Sequence, residues 1–88
     1  MANSPQYNVN QTKTLLALHK RNQMTKTQFS KRFVYLTIDD RYAALEQLLK
    51  DGLVIAEERP KSRAKHIPVY YFLSEVGKKW VAEYLNHT

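Results

Sequence analysis

Residues 37–73, TIDDRYAALEQLLKDGLVIAEERPKSRAKHIPVYYFL, decide the fold. Thr37 opens a T-x-x-D box whose hydroxyl can accept the backbone amide of Asp40, and Asp39 and Asp40 fall in a first turn, where the helix dipole favours carboxylates. Ile38, Tyr42, Leu45, Leu48 and Leu49 recur at i, i+4, i+7, i+10 and i+11, which predicts one apolar stripe, and Gly52 is placed for a left-handed exit. Beyond it, LVIAEE and VYYFL are runs of strand formers on either side of the Pro-containing polar segment RPKSRAKHIP. The pattern predicts a helix running into a hairpin with a long basic tip.

Working back from Thr37, Thr25 opens a T-x-x-Q box, and Phe29 and Phe33 share a face at i, i+4, so a short helix is expected to about Val34. Before it, Leu15, Leu16 and Leu18 with Thr12 and His19 fit a helix of about 13 residues from Val9 to near Asn22, with Lys20 and Arg21 at its negative end. Residues 1–8 are polar, aperiodic and contain a proline, which reads as a flexible arm. Working forward, Ser74 caps a last helix over 74–86 whose stripe is Val76, Trp80, Val81, Tyr84 and Leu85. The expected fold is α+β and mostly helical, in the order helix, helix, helix, hairpin, helix, with residues 9–88 forming one domain.

Composition narrows the function. A chain of 88 residues buries a small core and has little stability to spare, so a second copy is expected to help it. The formal charge of +6 favours a polyanionic partner, nucleic acid before a membrane surface. No apolar run reaches the roughly 18 residues a membrane span needs, and MANSPQYNVN lacks the regions of a signal peptide, so a cytoplasmic, nucleoid-associated protein is expected. There is no cysteine, hence no disulfide or thiolate metal site; His19, His66 and His87 are scattered, and no Gly-rich phosphate loop or G-x-S-x-G is present. Neither an enzyme nor a metal or other cofactor is expected.

Two passages carry a family resemblance. Leu45, Leu48 and Gly52-Leu53-Val54 match the pattern L-x-x-L-x-x-x-G-L-V, and Tyr71-Phe72-Leu73-Ser74-Glu75-Val76-Gly77 matches Y-x-L-T-x-x-G. In these the chain resembles small winged helix-turn-helix transcription regulators of the PadR, MarR and ArsR type, over about residues 10–86. The resemblance implies a third helix that enters a groove of duplex DNA and a hairpin, the wing, that follows its backbone. It says less about function, because the same fold serves protein-binding and partition factors.

The third helix presents Asp39, Asp40, Ala43, Glu46, Gln47 and Lys50 opposite its stripe, with Tyr42 at the edge. Asp39 or Asp40 could accept from a cytosine amino group or could serve only the helix start; Gln47 could read adenine or simply be solvated; Tyr42 could pack in the core or touch a base. Four acids against two cations between residues 37 and 51 depart from what a phosphate-lined groove favours. Backbone contacts are expected from Thr25, Lys26, Lys31 and Arg32, with Lys20 and Arg21 behind them, and from Arg59, Lys61, Arg63 and Lys65 of the hairpin tip, which could otherwise serve only solubility. Leu15, Leu18, Trp80, Tyr84 and Leu85 offer apolar surface for a homodimer, although Trp80 could instead pack over its own hairpin.

The expected function is a dimeric, sequence-specific regulator on double-stranded DNA, a repressor since no further segment for polymerase contact or ligand sensing is evident. The alternatives are a DNA-coating architectural or partition protein with weak sequence preference and a winged-helix protein-interaction module.

Overall fold

The computed structural model describes residues 7–60 and 67–86. These form four helices and three strands: α1 (Val9–Arg21), β1 (Met24–Thr25), α2 (Lys26–Arg32), α3 (Ile38–Lys50), β2 (Val54–Glu58), β3 (Val69–Leu73) and α4 (Glu75–Asn86). The sheet is antiparallel with order β1-β3-β2. The expected class and element order hold, with one strand added.

Caps set the helix starts. Asn8 Oδ1 accepts from the Gln11 amide at 2.8 Å while Gln11 Oε1 accepts from the Asn8 amide at 2.9 Å, and Thr25 and Gln28 make the same reciprocal pair at 3.1 and 3.0 Å. Thr37 Oγ1 accepts from the Asp40 amide at 3.1 Å. The first of these boxes corrects the expected arm over residues 1–8: Asn8 caps α1, and the Tyr7 ring lies edge-on to Trp80 at 5.6 Å. Residues 1–6 lie outside the described residues. α2 stops two residues before Val34, because Phe33 leaves the helix to put its ring in the core, 3 % exposed.

α3 ends as its glycine predicts. Gly52 has φ +80°, its amide donates to Leu49 O at 3.2 Å, and the Leu53 amide donates to Leu48 O at 3.0 Å, so both bonds of a Schellman exit are made. Of the expected stripe, Leu45 and Leu48 are buried and Tyr42 and Leu49 pack partly on the core, whereas Ile38 in the first turn is exposed beyond the core's edge.

The added strand is only two residues long and has no periodicity to betray it. Met24 pairs with Tyr71 and is fully buried; Thr25 pairs with Tyr70 and also caps α2. An N-cap residue has extended backbone, here φ −75° and ψ 166°, so one residue can end a strand and begin a helix.

Between the layers lies a core of Leu15, Leu18, Met24, Phe29, Leu45, Leu48, Val54, Leu73 and Val81, drawn from every helix and strand. Its far wall is set by Gly77 on α4. A Cβ built there would stand 2.1 Å from the Leu53 carbonyl oxygen. Ser74 fastens the same corner: its hydroxyl donates to Gly52 O at 2.5 Å and accepts from the Gly77 amide at 3.1 Å, and its own amide donates to Leu53 O at 2.9 Å. The two sequence motifs that carry the family resemblance therefore meet at one joint.

Tyr7 belongs to this fold and gives it a pH dependence. Its hydroxyl donates to Asp51 Oδ2 at 2.9 Å, and burial, that hydrogen bond and the negative charge of Asp51 push the phenol up to about 12 from its ordinary 10. A phenol that ionises later in the folded chain than in the unfolded one contributes stability that is fully present below pH 10 and is lost between about 10 and 12. The expected result is that wild type is more stable than Tyr7→Phe at pH 8 and that the difference shrinks as the pH rises through that window, read from urea midpoints. A difference independent of pH would mean that the hydroxyl does not hold Asp51 in solution.

Candidate functional site

α2 has two flanks, and they meet different neighbours. On one side Lys26 places its ammonium 5.2 Å from the centroid of the Tyr42 ring, and the Ser30 hydroxyl accepts from Arg41 Nη1 at 2.6 Å. On the other, Gln28 and Arg32 look toward α1.

Arg41 is the residue that sequence reasoning counted only as a charge. Its Nη2 donates to Leu36 O at 2.7 Å and its Nε to the same oxygen at 3.3 Å, so the guanidinium spans from α2 to the turn that precedes α3. Arg41 fixes the angle between the two helices. Lysine cannot reproduce the fork. Arg41→Lys and Arg41→Ala are both expected to lower stability, the alanine by about 2 kcal/mol, since carbonyl and hydroxyl partners of a charged donor are lost together. Urea denaturation of the two variants checks this, and a lysine variant as stable as wild type would contradict it.

The outward face of α3 is as the sequence places it: Asp39, Asp40, Ala43, Glu46, Gln47 and Lys50 are all exposed. The cap is the Thr37 hydroxyl, and Asp39 and Asp40 stand in the first turn. Gln47 Nε2 donates to Asp51 Oδ1 at 3.0 Å, which commits one hydrogen of the amide that could otherwise read a base. Tyr42 lies half-buried, its ring 6.0 Å from that of Phe29, in keeping with the packing alternative.

The hairpin cation Arg59 is not free. It is ion-paired to Glu57, donates from Nη1 to Gln23 Oε1 at 3.1 Å, and lies 4.3 Å from the centroid of the Tyr70 ring. These contacts tie the loop end of the β2–β3 ladder to the residue before β1. Lys61, Arg63 and Lys65 lie outside the described residues. Thr25 spends its hydroxyl oxygen on the α2 cap, while Lys26, Lys31 and Arg32 are exposed.

The expected dimer surface needs correction. Leu15 and Leu18 are completely buried in the chain's own core, because the face of α1 that carries them packs on α3 and β3, and they have no surface to offer a partner. Trp80 stacks on Tyr84 at 5.2 Å, meets Tyr7 just before α1 and packs partly on the chain's own core. Apolar side chains do remain outside on α4: Val76 at 58 %, Leu85 at 46 % and Tyr84 at 37 % exposure, with Val9 of α1 also exposed.

A concavity missed in the sequence runs between α1 and α2. It is a furrow of three adjoining hollows, the largest about 390 Å³, lined by Lys13, Leu16, Lys20, Arg32, Phe33 and Tyr35; the others continue it past Arg21 to Gln28 and Lys31. One signal could have found it. Residues 1–38 carry Lys13, Lys20, Arg21, Lys26, Lys31 and Arg32 and not one Asp or Glu, while the eight cations of residues 39–88 are matched by eight acids, so the whole formal charge of +6 belongs to the first part.

Among the described residues, no cluster of His, Asp and Glu is placed to hold a metal ion, and no helix is long and apolar enough to cross a membrane. A comparison of the chain with known protein families found no match, and neither did a comparison with curated proteins.

Proposed function

We propose that the protein binds double-stranded DNA as a winged helix-turn-helix transcription regulator, a homodimeric repressor that occludes a promoter. The observation that carries this reading is the joint between two elements: α2 and α3 form a pair locked by Arg41, and the loop end of the β2–β3 ladder is clamped through Arg59 to Gln23, immediately before β1, which leads into α2. Such a joint lets a helix pair and a hairpin act on one duplex as a rigid unit. The sequence supplies phosphate-binding groups at both ends of that unit, Lys26 and Lys31 on α2 and Lys61, Arg63 and Lys65 at the hairpin tip. Asp40 and Gln47 on the exposed face of α3 are the base-reading candidates.

Dimerisation in this proposal uses α4 alone, through Val76, Tyr84 and Leu85 with Trp80 beside them. Two α3 helices related by a two-fold axis would address half-sites roughly 34 to 36 Å apart, so the operator would be an inverted repeat. A second reading, a DNA-coating architectural protein with weak sequence preference, is favoured by the acids Asp39, Asp40 and Glu46 on the exposed face of α3, which do not suit close approach to phosphates.

Fluorescence anisotropy of a random 30-base-pair duplex across a range of salt tests DNA binding. The expected result is a log–log slope of several units, reduced by about one for each phosphate contact removed in Arg63→Ala and Lys65→Ala. After selection of an operator, Asp40→Ala with Gln47→Ala should abolish sequence preference and keep general affinity; a protein without any such preference to lose would be the architectural one. Absence of binding even at low salt would sink both readings.

A further inference from the structure

The furrow between α1 and α2 lies on the flank of α2 turned away from α3, and of its residues the proposed function uses only Lys31, at its rim. Four of its cations, Lys20, Arg21, Lys31 and Arg32, are exposed, and among the described residues none of them is ion-paired. No acid lines any of the three hollows. Part of the charge complements the C-terminal ends of α1 and α2, where His19, Lys20, Arg21, Lys31 and Arg32 all fall in last turns. A helix end carries only about half a charge, though, so two ends leave most of this cluster uncompensated.

The arrangement is a track and not a point. Lys13 and Lys20 are two turns apart on α1, about 10 Å along its axis, and Arg32 and Lys31 carry the line across to α2. A single anion needs donors that converge; a chain of anions needs donors in a row. The floor is apolar, formed by Leu16 and Phe33, and Tyr35 stands at one end, 61 % exposed, with the Lys13 ammonium 5.4 Å from its ring centroid. Charge along a groove with an aromatic side chain at its end is the chemistry that suits a sugar–phosphate chain.

We infer that the α1–α2 furrow is a second nucleic-acid contact surface, which holds a sugar–phosphate backbone separately from α3 and the hairpin. This deepens the proposed function by giving the chain two nucleic-acid surfaces on opposite flanks of α2, and it stands or falls separately from where that reading puts the first.

The test compares three variants of the full chain, each first shown to keep the wild-type circular dichroism spectrum: K20Q/R21Q/R32Q in the furrow, K26Q/R63Q/K65Q on α2 and the hairpin, and K78Q/K79Q on α4 as a control for charge lost elsewhere. Labelled 30-base-pair duplex and 20-nucleotide oligothymidine are titrated across salt. The furrow variant is expected to lower the log–log slope by about two to three units and to weaken binding at least tenfold at low salt, while the control leaves both unchanged. Tighter binding of oligothymidine or of duplex identifies the form of the backbone, and either supports the inference.

An unchanged slope in the furrow variant, with loss in the α2 and hairpin variant, would overturn the inference and leave the proposed function standing. Loss in the furrow variant with no effect of the other would support the inference and remove the proposed placement on α3 and the hairpin. An equal drop in the control would overturn it as general charge attraction, and so would binding of inorganic phosphate in the furrow without binding of either oligonucleotide.

Discussion

Gly77→Ala is expected to destabilise the fold by about 3 kcal/mol or more, against the intrinsic preference of a helix for alanine. That preference is worth about 1 kcal/mol in favour of the variant. The opposing effect is steric: the new methyl would stand 2.1 Å from the Leu53 carbonyl oxygen, 3.0 Å from its carbon and 3.2 Å from Leu73 Cδ2. The oxygen cannot retreat cheaply, since it accepts the Ser74 amide at 2.9 Å. α4 must therefore lift from the corner where α3 ends and β2 begins, and overpacking of this kind typically costs 1–3 kcal/mol even where the neighbours are flexible. With total stability of about 0.1 kcal/mol per residue, roughly 9 kcal/mol for 88 residues, the change would remove about a third of it. Thermal unfolding should show a drop in Tm of roughly 12 °C or more, at about 4–8 °C per kcal/mol for a domain of this size. A Tm at or above that of wild type would show that α4 does not approach Leu53 so closely.

Phe29→Ala is expected to be as damaging for a different reason. Phe29 is fully buried and its ring meets three others, Phe33 at 5.0 Å, Tyr42 at 6.0 Å and Tyr71 at 6.4 Å, so it touches the turn, α3 and the sheet from its place on α2. Removing it leaves a cavity at the point where these elements meet, and the cost is about 3–5 kcal/mol. Phe29→Leu keeps most of the volume and is expected to lose about 1.5 kcal/mol at most. Urea midpoints for the pair test the idea: similar losses in both variants would mean that aromatic geometry rather than volume holds the centre. Because Lys26 reaches across to α3 and Arg41 reaches back to α2 in the same region, the alanine variant is also expected to lose the fixed angle between α2 and α3.

The sequence made some parts of this molecule plain because their causes are local. Thr25 with Gln28, Thr37, Gly52 and Ser74 mark helix ends through contacts a few residues long, and each boundary they predict is found within two residues. Other parts depend on residues far apart in the chain. Tyr7 and Asp51, Arg59 and Gln23, and Met24 and Tyr71 are separated by tens of residues, so no periodicity signals them. Leu15 and Leu18 show a related difficulty: an apolar stripe says that a face is covered, not whether its own chain or a second copy covers it. The furrow leaves only an absence in the sequence, the lack of any acid before Asp39, and an absence marks no cap, stripe or turn that would place it between two helices.

Thr25 is counted twice in the architecture, as the last residue of the edge strand and as the residue that caps α2. An edge strand of two residues would ordinarily fray, since little holds it besides its own ladder. Here fraying would also strip the Gln28 amide of its acceptor and draw Met24 out of the core. Strand and helix consequently form one cooperative unit: the weakest edge of the sheet can come undone only when the start of α2 comes undone with it.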